Sequence, residues 1–176
     1  MKQVPKWFER EFNFTVPVEL HPNLCARLRG TPARLDELLR TRRRDLLIRR
    51  AQDKWSAQEH AGHLLDLEPL WMARAEDYLT GAAELTTADL NNRKTDDANH
   101  NGQPLEQILS GFRDARARLL SRVERIDAAM LARVLIHPRL NKPMRLVDHI
   151  YFVAEHDDHH LARIWELVSA QQHLRI

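Results

Sequence analysis

The residues best suited to chemistry in this chain are its histidines. There are ten in 176 residues, well above ordinary usage, and six lie in or near two short segments. His60 and His63 fall in "WSAQEHAGHLLDLEPLW", and His156, His159 and His160 fall in "VAEHDDHHLARI", with His149 just upstream. On a helical wheel, His149, His156 and His160 share one edge of an apolar arc, beside Val153 and Leu167, while His159 joins Glu155 and Glu166 on the polar side and is expected in solvent. Two imidazoles at i and i+4 can reach one metal ion. An ordinary structural role for such a pair competes with that reading. A second histidine cluster, and Asp157 inside the same apolar arc, shift the balance towards a site. An unpaired buried carboxylate is costly, so Asp157 requires an imidazole N–H or a cation as partner. Glu68 also falls in an apolar arc and requires a partner, with Arg145 or a ligand histidine as candidates.

These residues need helices to hold them. Leu24, Leu28, Thr31, Leu35, Leu38 and Leu39 recur at helical spacing and predict a first helix over 23–43, with Pro32 kinking or splitting it. A second starts at a capping box, Ser56 and Glu59, with Trp55 ahead of it as a hydrophobic staple. Its face runs through Ala57, Ala61, Leu64, Trp71, Ala75 and Tyr78 to Gly81, and Pro69 bends it. The polar stretch "TTADLNNRKTDDANHNGQ" has no period and is long for a connection, which often marks a functional loop. Asn91, Asn92, His100 and Asn101 belong to it and are expected in solvent, although the loop could roof a pocket. A third helix opens at Pro104, with Leu105, Ile108, Phe112, Ala115, Leu119 and Val123 as its stripe. A connector with a short helix before His137 leads to a fourth helix over 144–171, with Val147, Ile150, Tyr151, Ala154, Leu161, Ile164, Trp165 and Val168 inward. Strand alternation is confined to "FNFTV" near the N-terminus. The expectation is one all-α domain over 1–176, a four-helix bundle with long inter-helix connections and an N-terminal arm over 1–22, its site built from inward side chains on facing helices.

In the second helix the wheel slightly favours His60 over His63 as the more inward residue. "KWSAQEHAGHLLDLE" together with "HIYFVAEHDDHHLARI" resembles the DinB/YfiT-like family of metal-dependent bundle proteins. There a Trp-Ser pair opens the second helix, a Glu follows, and a His-Leu pair comes eight residues after the Trp: Trp55, Ser56, Glu59, His63 and Leu64 here. The family's HxxHH run on the last helix is matched by His156, His159 and His160. The two motifs stand 93 positions apart, from His63 to His156. Where many members carry Gly-Gln after that run and one further residue, this chain has Ala162-Arg163. The resemblance implies a divalent metal held by His63, His156 and His160. Glu59, Asp66, His149 and Asp157 are candidates to support those ligands; a capping role for Glu59 and an ordinary buried role for His149 are equally open.

Three neutral imidazoles leave the ion's charge uncompensated and at least one coordination position open, as in catalytic sites. Such an ion lowers the pKa of bound water or binds a thiol as thiolate. Zinc or nickel suits imidazole best, with iron and manganese as further options. The resemblance also implies a small-molecule electrophile as substrate, a low-molecular-weight thiol as co-substrate, and S-transfer, isomerisation or hydrolysis as the reaction; no residue is assigned as catalytic acid or base. The alternative is a bundle that binds metal for structure or interaction and catalyses nothing. A di-iron carboxylate site lacks its Glu-x-x-His pairs, and a hemerythrin-like centre lacks a histidine on the third helix.

Composition excludes other classes. Formal charge is +2 with basic residues dispersed, so no nucleic-acid footprint is read, and "RTRRRDLLIRR" is a solvated helix end. Five glycines form no phosphate loop. The single Cys25 excludes an intrachain disulfide and fits a reducing, cytoplasmic setting. No segment has the length of a membrane span. Trp7, Phe8, Phe12 and Phe14 crowd the arm and must be covered, either by their own bundle or by a second copy in a symmetric homodimer.

Overall fold

The computed structural model describes residues 3–51 and 54–170. Helix α1 spans His21–Leu39 and α2 is one turn, Arg44–Leu47. Helix α3 spans Ala57–Thr80, and α4, Arg93–Asp97, lies inside the stretch predicted as loop, followed by a 3-10 turn at His100–Gly102. Helix α5 spans Leu105–Val123, α6 Ala128–Leu131, and α7 Leu146–Ala170. Gln171, the expected last residue of the fourth helix, lies outside the described residues.

The expected capping box starts α3: Ser56 Oγ accepts from the Glu59 amide at 3.1 Å, and Glu59 Oε2 accepts from the Ser56 amide at 2.8 Å. The staple is present in altered form, since Trp55 lies edge-on to His60 at 5.5 Å. Gly81 ends the helix at φ 82°, a left-handed cap that suits glycine. Both internal prolines lie inside continuous helices. At Pro32 the missing N–H frees the Leu28 carbonyl, and Arg116 Nη1 donates to it at 3.3 Å.

Around the bundle, α1 packs against α7 and α5, and α3 packs against α5 and α7. The consecutive helices α1 and α3 therefore face each other diagonally, as do α5 and α7. Diagonal placement needs long crossings, which accounts for the lengthy connections.

Apolar side chains form two clusters, one around Leu28, Trp71, Leu119 and Ile150, the other around Leu35, Leu64, Phe112 and Ile164. Along each helix one polar residue stands between them: Thr31, Glu68, Arg116 and Asp157. Arg116, only 1% exposed, donates to Glu68 Oε1 at 2.6 Å and to Asp157 Oδ2 at 2.5 Å, and Thr31 Oγ1 donates to the same Asp157 oxygen at 2.8 Å. Asp157 thus has the cation it required. Glu68 is paired with Arg116, and with neither Arg145 nor a ligand histidine among the described residues; the Arg145 guanidinium instead bonds Asp148 in the first turn of α7 at 2.7 Å.

Two connections depart from expectation. Val134–His137 (β1) and Lys142–Arg145 (β2) form an antiparallel hairpin with Val134 opposite Arg145. The "FNFTV" segment forms no strand. Instead the arm folds over its own bundle: Phe12 is buried, with its ring 5.0 Å from those of Trp7 and Phe152. Only Phe8 of the four aromatics is exposed, at 56%. The arm is thus covered in cis, which removes its argument for a second copy. Trp165 is also exposed, at 46%, against the expectation that it faces inward. It sits on the rim of a shallow groove with Leu38 and Arg42, at the edge of the apolar arc.

Candidate metal centre

The two central helices of the site, α3 and α7, run side by side and bring their histidines into one cluster. One ligand atom from each of His63, His156 and His160 lies within 4.8 Å of the others, and all three side chains are buried. His156 Nε2 and His160 Nε2 are 3.2 Å apart. Two imidazole nitrogens on one ion at about 2.0–2.1 Å each stand roughly 3.0–3.4 Å apart, so this spacing fits a shared divalent ion.

Hydrogen bonds behind the rings orient them. His63 Nδ1 bonds Thr95 Oγ1 at 3.0 Å, and Thr95 Oγ1 donates to Asp66 Oδ2 at 2.9 Å. With the hydroxyl proton directed to Asp66, His63 carries its own proton on Nδ1, and Nε2 keeps its lone pair for a ligand. His160 Nδ1 bonds His60 Nδ1 at 2.9 Å. A proton on His160 Nδ1 leaves its Nε2 free in the same way. Asp66 therefore supports His63 through Thr95 and also accepts from His100 Nε2 at 2.8 Å. His60 is thus hydrogen-bonded to His160, and His63 is the α3 histidine grouped with His156 and His160. Burial drives the electrostatics: it lowers His63 to about 4 and His60 to about 3, and holds His156 and His160 well below the ordinary imidazole range. All four are neutral at pH 7, as ligation requires.

Other expected supporters are elsewhere. Glu59 is engaged in the capping box and in a salt bridge with Arg50. Asp157 belongs to the Arg116 layer and has no hydrogen bond to a histidine among the described residues. His149 is fully buried between Trp71 and Tyr78 and is not part of the three-histidine group. His159 is not in solvent. It is half-buried, its ring 5.6 Å from Trp7, because the arm covers a side of α7 that an isolated wheel leaves open.

The loop residues contribute most of what the sequence concealed. His100 is buried, contrary to expectation, and packs so closely on α3 that a Cβ on Gly62 would lie 2.2 Å from its ring. Gln58 Nε2 ties down the loop by donating to the His100 and Gln103 carbonyls at 2.6 and 2.9 Å. The signal available in advance was one glycine on the helix face beside His63. Asn91 is exposed as expected, while Asn92 and Asn101 are half-buried.

A cavity of about 210 Å³ opens beside the imidazoles. Trp7, Trp71 and Phe152 wall it on the bundle side, and Ala88, Leu90 and Asn92 from the long connection close over it. The connection does roof the site.

A helical bundle in diagonal order, with inward histidines from two adjacent helices beneath a roofed cavity, defines the class. The chain belongs to the DinB superfamily, which it matches over residues 27–164. It is similar in fold to YfiT from Bacillus subtilis, described as a probable metal-dependent hydrolase with an unusual four-helix bundle topology, at TM-score 0.82 and 17% identity over 93% of this chain and 94% of that one. It is also similar to the mycothiol-dependent maleylpyruvate isomerase, at TM-score 0.66 and 10% identity, over 86% of this chain and 62% of that one. No curated protein sequence matches it. No helix among the described residues is long and apolar enough to cross a membrane.

Proposed function

We propose that the chain is a metal-dependent enzyme acting on a small electrophile, with water or a low-molecular-weight thiol as nucleophile, and that His63, His156 and His160 hold its ion through their Nε2 atoms. The observation that carries this is the convergence of three neutral, buried imidazoles beside a roofed cavity, two of them with Nδ1 already committed to Thr95 and His60. A divalent ion, zinc or nickel for preference, would supply Lewis acidity and lower the pKa of the nucleophile bound to it. The protein's part is to fix the rings, through the Asp66–Thr95–His63 chain and the His60–His160 bond, and to keep bulk water out with Trp7, Trp71 and Phe152. The descriptions of YfiT as a probable metal-dependent hydrolase and of the isomerase as mycothiol-dependent support both choices of nucleophile.

Metal analysis of the purified chain, followed by a screen of thiols against small electrophiles, tests the proposal. About one divalent ion per chain and metal-dependent consumption of a thiol or ester are expected. A chain that takes up no zinc or nickel sinks the metal assignment; a loaded chain that turns nothing over supports the structural alternative.

A further inference from the structure

Among the described residues two arginines are almost fully buried, and they are treated differently. Arg116, 1% exposed, is neutralised by Glu68 and Asp157. Arg74, 2% exposed, lines the cavity and has no carboxylate within salt-bridge distance among the described residues. Its Nε donates to the Thr86 carbonyl at 2.9 Å, and its Nη1 stands 3.1 Å from His137 Nε2. Beside it Arg139, half-buried on the hairpin turn, also faces the cavity. Its Nη2 is buried without a hydrogen-bond partner among the described residues, and its Cζ lies 5.2 Å over the Phe8 ring. Burial lowers both guanidiniums, Arg74 to about 10, and each still carries its charge at neutral pH.

His137 sharpens the mismatch. Its Nε2 faces the Arg74 donor and its Nδ1 faces the Leu140 amide at 3.2 Å. A neutral imidazole has one acceptor nitrogen, so it cannot satisfy both donors. An oxyanion placed among Arg74, His137 and Arg139 would accept from all three and remove the excess charge. Among the described residues, Asp89 is the one acidic residue lining the cavity, and it is already engaged: its carboxylate accepts from the Asn91 and Arg93 amides at 3.0 and 2.9 Å. An uncompensated buried charge is strongly destabilising, so this arrangement makes sense with a ligand present.

We infer that Arg74 and Arg139, with His137, form an anion subsite that binds a carboxylate of the small-molecule substrate. This deepens the proposed function and rests on it for the word substrate, though not for the subsite itself. Aromatic rings span the distance to the imidazoles. Trp71 lies 5.5 Å from the His156 ring and 5.7 Å from Arg74 Cζ, and Phe152 lies 5.3 Å from His137. The favoured substrate therefore has a carboxylate at one end, an unsaturated or apolar middle, and its reacting group near the imidazoles. Guanidinium prefers planar, bidentate oxyanions, which favours carboxylate.

Benzoate is the probe, with neutral benzamide and phenyl phosphate as comparators, titrated calorimetrically into the full chain as purified and again after chelation. Benzoate should bind at least about tenfold more tightly than benzamide, through charge-assisted bonds, and should do so with or without metal. Arg139→Gln, on a half-buried turn, should weaken benzoate about tenfold and leave benzamide unchanged; Arg74→Lys, which keeps the charge, should weaken it less than Arg139→Gln. Equal binding of benzoate and benzamide, or benzoate affinity indifferent to both substitutions, overturns the subsite. Tighter binding of phenyl phosphate than of benzoate overturns its assignment to carboxylates. Benzoate binding that vanishes on chelation places the carboxylate on the metal, refuting the subsite while supporting the metal centre. Arginine-dependent binding to a chain that takes up no metal does the reverse.

Discussion

Thr95 is the sharpest place to test how the imidazoles are held. Its hydroxyl is the single atom between His63 Nδ1, at 3.0 Å, and Asp66 Oδ2, at 2.9 Å, and the side chain is buried. Thr95→Val keeps the shape and deletes that atom. Asp66 retains the His100 bond, whereas the His63 Nδ1–H loses its partner, Thr95. A buried donor left unsatisfied costs about 1–3 kcal/mol. Part of that appears as stability lost by the metal-free chain in urea unfolding. The other part is loss of ring orientation, and removing such support behind a ligand typically weakens metal affinity about 10–100-fold. Competition against a chromophoric chelator would measure the affinity. Thr31→Val is the control: its hydroxyl bonds Asp157 at 2.8 Å in the Arg116 layer, so it should lower stability and leave metal affinity within a few-fold. If Thr95→Val binds zinc as tightly as the parent chain, or if Thr31→Val weakens zinc equally, the assignment of Thr95 as the support of a ligand fails.

Three further outcomes are expected. His160→Ala should lose most bound metal, whereas His159→Ala should retain it; mass-spectrometric metal content decides, and equal losses would mean that the ligand set is wrong. Stability of the metal-free chain should fall on acidification: His60 and His63, folded at about 3 and 4 against 6.5 unfolded, are protonated first in the unfolded state. Each such histidine contributes a slope of about 1.4 kcal/mol per pH unit below 6.5. Burial raises Glu68 against the pull of Arg116, so any proton it takes up on acidification opposes the histidines by at most one such slope and weakens its pair with Arg116. Denaturant midpoints that stay flat from pH 7 to 5 would contradict neutral buried imidazoles. Gly62→Ala should destabilise the chain although alanine gains about 1 kcal/mol of helix propensity, because its Cβ would meet the His100 ring; an unchanged or raised melting temperature would refute that packing.

The helices were legible where local chemistry determined them. Ser56, Glu59 and Gly81 mark the ends of α3 without reference to anything distant. The i,i+4 spacing of His156 and His160 likewise survives any tertiary arrangement. What stayed hidden depends on partners far along the chain. Arg116 interrupts the apolar stripe between Phe112 and Leu119, which could have been noticed as the cation for Glu68 and Asp157, but the pairing needed the diagonal helix order. Thr95 and His100 sit in a segment without period, and their roles come from docking on α3. The hairpin was missed because "VLIH" is too short for its alternation to stand out, and His159 because its cover comes from the arm.

The layer of Thr31, Glu68, Arg116 and Asp157 has a consequence at a distance. Four amphipathic helices with smooth apolar faces could slide along one another at little cost. Here a slide of α3 against α7 by one turn, about 5.4 Å, would part Arg116 from one of its two carboxylates and strand a charge in the core, at about 3–5 kcal/mol. The ion pairs act as a detent that fixes the axial register of the two helices. His63 and His160 lie five and three residues from Glu68 and Asp157, within the span that this detent aligns. The alignment of the nitrogens proposed to hold the ion is therefore set in part by a salt-linked layer set apart from them, and loosening Arg116 should blur the site before it unfolds the bundle.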